Sequence, residues 1–160
     1  MEIKEWKYGE FPEFDEVVEG VVVLDTTGDE PGCRYTGQHV EYVKEGGVPL
    51  HMEILTPFTR NKQEGVYPCV VFVQGSAWMK QDVLEHIPLY AHLAERGYIV
   101  AIVEYRHSGI APYPAQAVDA RNAIRYIKVH AEELHVDPDK MILAGDSSGG
   151  HTAMFGGLRH

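Results

Sequence analysis

Hydrophobic and polar positions follow two rhythms along this chain. Residues 39–43 and 50–54 alternate polar with apolar side chains on either side of Gly46-Gly47, the pattern of an antiparallel hairpin with one buried face. His51 falls on the face opposite Leu50, Met52 and Ile54, so it reads as a half-exposed strand residue. After residues 57–67 the alternation stops. Residues 69–73, 98–103 and 141–144 are short, continuous apolar runs rich in Val and Ile, as strands buried on both faces are. Between them the period becomes helical. Leu84, Ile87, Ala91 and Ala94 are spaced three, four and three before Gly97. Pro88 is tolerated only in a first turn, so that helix is predicted to begin near Ile87. Ala117, Ala120, Ile124, Ile127, Ala131 and Leu134 keep the same spacing up to Asp137-Pro138, which should close the second helix.

Strand, helix, strand, helix, strand predicts a parallel sheet with right-handed crossovers, to which the hairpin adds an antiparallel margin. The expected fold class is therefore α/β, with a mostly parallel sheet and an antiparallel N-terminal hairpin. Residues 1–38 mix acidic and aromatic side chains around one short strand at 20–24 and a turn at 26–32. They read as an N-terminal extension lying on a core formed by residues 39–160.

A chain of 160 residues, 44% of them hydrophobic, suits one domain with a real core. Its formal charge of −10 and the absence of any basic run argue against nucleic-acid binding. Cys69 sits inside an apolar strand run, so it and Cys33 read as unlinked thiols. The acidic, polar N-terminus and the lack of any apolar stretch near roughly 18 residues imply a cytoplasmic protein without a membrane span. Neither a metal-ligand cluster nor a phosphate-cradling glycine loop is present, so no metal or cofactor is expected.

The chemistry concentrates where the third apolar run breaks into Gly145-Asp146-Ser147-Ser148-Gly149, a G-x-S-x-G pattern at a strand-to-helix junction. Such a turn lifts Ser147 above the sheet edge in strained backbone and aims the Ser148 N–H at a reacting oxygen. Gly145 and Gly149 make the bend feasible, since a side chain at either place would strike the neighbouring strand or helix. Further donors should come from Gln74-Gly75-Ser76-Ala77-Trp78, the small-residue loop that ends the first buried strand. There the N–H groups of Ser76 and Ala77 are the candidates. The Ser148 side chain is expected to face the helix, and His151 to pack locally on the first helical turn rather than reach the serine. The residues left to build a substrate pocket are Trp78, Tyr105, Tyr113 and the N-terminal aromatics Trp6, Tyr8, Phe11 and Phe14, and Trp78 reads equally well as a core residue or as the lining of a substrate entrance.

These pieces, with Glu104-Tyr105-Arg106, residues 111–116, Asp119 and Val136-Asp137-Pro138, resemble the first part of an α/β-hydrolase. The resembling branch is that of esterases and lipases: hormone-sensitive lipase, feruloyl and acetyl-xylan esterases, and the prolyl-oligopeptidase catalytic domain. In that branch the 74–78 loop is usually His-Gly-Gly-Gly-Trp, so Gln74 departs from it. The resemblance implies Ser147 as nucleophile, the Ser76, Ala77 and Ser148 amides as oxyanion donors, Arg106 and Asp119 as structural supports, and a small-molecule ester as substrate. It also implies that the acid and then the base follow the serine in sequence. Thirteen residues follow Ser147 and none is Asp or Glu.

The expectation is thus a sheet truncated after the elbow helix and inactive as this chain alone. Its exposed edge at 141–144 would be covered by a second copy or by a missing C-terminal segment. A non-catalytic binding or dimerisation module is the competing reading. A serine peptidase is a remote one, because the trypsin-like G-D-S-G-G motif belongs to double β-barrels.

Overall fold

The computed structural model describes residues 30–59 and 65–158, together with Lys7, Gly9, Glu19 and Gly20. Residues 21–24 of the expected N-terminal strand, the aromatics Trp6, Tyr8, Phe11 and Phe14, and His160 lie outside the described residues. Gly46 and Gly47 take left-handed backbone, φ +58° and +84°, which turns β1 (Gly32–Glu45) back onto β2 (Val48–Phe58) as a two-residue hairpin requires. Both strands run beyond the alternating residues. Register shifts between Tyr35 and Gly37, Gly37 and Val40, and Glu41 and Val43 interrupt the period of two, and this hides the outer part of the hairpin from a pattern search. The His51 side chain is 17% exposed, more covered than an isolated alternation implies, because it pairs with Glu104 and stacks on His39.

The chain continues through β3 (Tyr67–Val73), α1 (Ile87–Glu95), β4 (Ile99–Val103), α2 (Ala115–Val129), β5 (Val136–Gly145) and α3 (Ser147–Gly157). Pro88 lies in the first turn of α1 and Gly97, at φ +93°, follows its end. The second helix is shorter than its periodicity. Residues 130–135 form turns that still deliver Ala131 and Leu134 to the core. Asp137-Pro138 lies inside β5 rather than capping a helix. His135 makes the break, with left-handed backbone (φ +56°) and a carbonyl that accepts the Tyr67 N–H at 2.9 Å.

The sheet order is β1-β2-β4-β3-β5. β1 with β2 and β2 with β4 are antiparallel, whereas β3 runs parallel to β4 and to β5. From β3 the chain steps one way to β4, then back past β3 to β5. Crossovers of one hand in opposite directions must place their helices on opposite faces. Accordingly Ala120, Ala123 and Ile127 of α2 and Ala153 of α3 join the core on one face. Val83, Ala94 and residues of α1 pack on Phe72, Val100 and Ile102 on the other. Among the described residues β5 pairs only with β3, and its Ile142 is 49% exposed. No helix among the described residues is long and apolar enough to cross a membrane.

Candidate active site

The reversal of strand order beside β3 opens a crevice at the C-terminal ends of β3 and β5, since their following segments leave toward opposite faces. Val73, the last residue of β3, is the register partner of Gly145, the last of β5. The 74–78 loop and the 145–149 turn therefore meet. Ser147 opens α3 with φ +46°, left-handed for a residue bearing a Cβ, and is exposed. The glycines around it have no spare space. A Cβ on Gly149 would lie 2.1 Å from the Val73 carbonyl oxygen, and one on Gly145 would lie 2.6 Å from the Gly149 backbone. A Cβ on Gly75 would lie 2.7 Å from the Asp146 carbonyl oxygen and 2.9 Å from the Ser147 Cβ.

Side chains on both sides of Ser147 grip the facing loop. The Asp146 carboxylate accepts the Gly75 N–H at 2.7 Å. The Ser148 hydroxyl oxygen accepts the Ser76 N–H at 2.9 Å and the Trp78 N–H at 3.2 Å, and Ser148 is 5% exposed. Two sequence expectations change here. The Ser148 side chain faces the 74–78 loop, not the helix, and the Ser76 amide is already engaged within the protein. The Ala77 and Ser148 amides take no part in these bonds. Tyr105, buried just beyond β4, lies 2.9 Å from the Ser76 hydroxyl and 3.5 Å from that of Ser148. Its backbone N–H donates to Gln81 at 2.9 Å. Position 105 was visible in sequence only as part of a family resemblance, because nothing in its spacing announces a hydroxyl beneath the loop.

Arg106 and Asp119 lie behind the site. The guanidinium donates to Asp119 through Nε and Nη2, the shortest contact being 2.7 Å, and the Arg106 backbone N–H donates to the same carboxylate. This pairing holds the Arg106 pKa above its ordinary value, and Asp119 is wholly buried. The Gln116 amide donates to the Arg106 and Ala111 carbonyls, tying residues 106–111 to α2. Gln74 is buried, its amide nitrogen 3.4 Å from Glu85 and its amide oxygen unpartnered. Burial and, second, the Asp146 charge push the Tyr90 phenol up to about 12.

His151 is exposed at the rim, its ring 4.7 Å from Phe155, 5.5 Å from Trp78 and 6.4 Å from Tyr113. Its contacts are with rings, and among the described residues no side chain hydrogen-bonds the Ser147 hydroxyl. A cavity of about 280 Å³ is lined by Trp78, Ser108, Tyr113, Gln116 and His151. Trp78, 39% exposed, belongs to this wall and not to the core. A larger hollow of about 480 Å³ lies at the other end of the sheet, against Tyr67 and Ile99 at the strand starts. It contains none of the residues just described. Among the described residues no group of three or more His, Cys, Asp or Glu is arranged to hold a metal ion.

Comparisons with known proteins agree with this fold. The family model BD-FAE matches residues 52–160. The probable carboxylic ester hydrolase LipM of Mycobacterium tuberculosis is 34% identical over 95 residues, 59% of this chain and 22% of that protein. Carboxylesterase NlhH of the same species is 38% identical over 85 residues, 52% of this chain and 27% of that protein. The solved structure of the Thermogutta terrifontis esterase Est2 superposes with a TM-score of 0.64 at 30% identity. It covers 72% of this chain and 42% of that one. The chain thus spans less than half the length of these relatives.

Proposed function

The chain belongs to the BD-FAE family, an α/β-hydrolase fold shared with esterases, and on that premise we propose that Ser147 is the nucleophile of a carboxylic-ester hydrolase. One observation carries the reading. An exposed serine in left-handed backbone stands at the switch point of a parallel sheet, where the 145–149 turn meets the 74–78 loop. Strained backbone that the surroundings hold in place is a mark of functional residues.

Attack of the Ser147 oxygen on an ester carbonyl forms a tetrahedral oxyanion, to which the Ala77 and Ser148 amides donate. Collapse expels the alcohol and leaves an acyl-serine, and water then releases the carboxylic acid. A serine hydroxyl needs a base for this. The base and its orienting acid are assigned to sequence outside the described residues, in keeping with a chain shorter than its relatives. Trp78 and Tyr113 would form one wall of the substrate cavity, and the substrate class is a small-molecule ester.

Est2 has been solved phosphonylated by cyclosarin, and an organophosphorus reagent is the direct probe here. A fluorophosphonate should label the complete polypeptide that carries these residues, with the adduct mapped to Ser147 by peptide mass spectrometry. Labelling that persists in Ser147→Ala would refute the assignment.

A further inference from the structure

The loop after β3 is held in a backbone that residues with side chains rarely adopt unaided. Ala77 and Trp78 both have left-handed φ, +53° and +58°, and neither gains the freedom that glycine would have there. Part of the restraint is local, the Ser76 carbonyl accepting the Met79 N–H at 3.0 Å and the Trp78 carbonyl the Ser108 N–H at 2.8 Å, and part comes from one hydroxyl across the crevice. The Ser148 oxygen accepts the N–H of Ser76 and that of Trp78. Those N–H groups belong to the peptide units on either side of the unit that carries the Ala77 N–H. Fixing both neighbours fixes the middle one.

The hydrogens can be followed through the cluster. The Ser76 hydroxyl donates to the Met79 carbonyl at 2.7 Å, so the Tyr105 hydroxyl donates to Ser76 across 2.9 Å. That leaves the Tyr105 oxygen to receive the Ser148 proton across 3.5 Å. With two lone pairs on amides and its proton toward Tyr105, the Ser148 hydroxyl is fully used. It is buried and turned toward the loop, so it is not a second nucleophile.

We propose that the Ser148 hydroxyl is a positioning residue that clamps the oxyanion loop, aiming the Ala77 N–H beside its own amide while keeping the Ser76 amide out of the donor set. The role rests on the reading of Ser147 as nucleophile. Alanine at 148 would keep the backbone donor and remove only the clamp. Cysteine would keep the volume with a poor acceptor, and threonine would keep the acceptor.

The test uses the complete polypeptide encoded by the reading frame that carries these residues, with p-nitrophenyl butyrate as substrate and a trifluoromethyl ketone as tetrahedral-adduct inhibitor. Loss of one oxyanion donor costs about a hundred- to a thousandfold in kcat. A misaimed donor should cost less, so Ser148→Ala and Ser148→Cys are each expected to lower kcat by about ten- to a hundredfold. KM should stay within about twofold, ketone affinity should fall in parallel with kcat, and Ser148→Thr should retain most of both. Near-parental kcat and ketone affinity in the Ala and Cys variants would overturn the role. So would equal losses in all three variants. Turnover that survives Ser147→Ala would remove the nucleophile and this role together. Turnover lost in Ser147→Ala but spared in Ser148→Ala would remove this role alone.

Discussion

Replacing Gly149 by alanine is the sharpest test of how the elbow is built, because the same change elsewhere in the same helix should have the opposite sign. In an ordinary helix interior, Gly→Ala stabilises by about 0.8–1 kcal/mol. At position 149 the added Cβ would sit 2.1 Å from the Val73 carbonyl oxygen and 2.6 Å from the Gln74 carbonyl carbon. Both are backbone atoms at the end of a central strand, and no rotamer change relieves them. Ordinary contact begins near 3.4 Å, so the start of α3 must withdraw from β3 by about 1 Å. That withdrawal pulls on the hydrogen bonds from Ser148 and Asp146 to the loop. Overpacking of this kind costs about 1–3 kcal/mol, and here it opposes rigid main chain, so a net loss of about 2 kcal/mol is expected. For a chain of this size that lowers the melting temperature by about 4–8 °C. At Gly157 a Cβ would meet only Leu143 Cδ2 at 3.9 Å, and Gly157→Ala should raise the melting temperature by about 1–2 °C. The two variants are compared by thermal melting and urea unfolding, with fluorophosphonate labelling of the complete polypeptide as functional readout. If Gly149→Ala melts at or above the parent, the close approach of α3 to β3 is not what requires glycine there.

Two further outcomes follow from buried groups. Arg106→Ala leaves the wholly buried Asp119 carboxylate without its cation, a loss of about 3 kcal/mol or more. Asp119→Asn, which leaves behind a guanidinium that is still 14% exposed rather than a wholly buried carboxylate, should be the milder change in urea unfolding, and the reverse order would refute the pairing. For the thiols, burial raises Cys69 to about 12 while Cys33 is only part-buried. At pH 8 a disulfide reagent should therefore modify Cys33 in the folded chain and reach Cys69 only on unfolding. Because the folded pKa of Cys69 lies above its ordinary value of 9.0, the neutral thiol's contribution to stability is complete below about pH 9. It is lost as pH rises toward 12, and a Cys69→Ala chain should show a shallower alkaline decline.

Much of this architecture was legible in the chain itself. Period-two alternation around Gly46-Gly47, three unalternating Val and Ile runs, and helical spacing between them determined the element types and the α/β class, because burial on one or two faces leaves its own period. Gly145, Ser147 and Gly149 were legible as a bend for a related reason, since few residue types fit that turn. Elements whose limits depend on distant partners were not legible. The bulges of β1 and the left-handed His135 that turns the chain into β5 answer to pairing with β2 and β3. Only the tertiary structure decided that Ser148 points across the crevice, that it takes the Ser76 amide, and that Tyr105 lies beneath both. A hydroxyl forms its bonds with whatever the fold brings within about 3 Å. Residues 76, 105 and 148 are separated by dozens of positions in the chain, so no local pattern records their meeting.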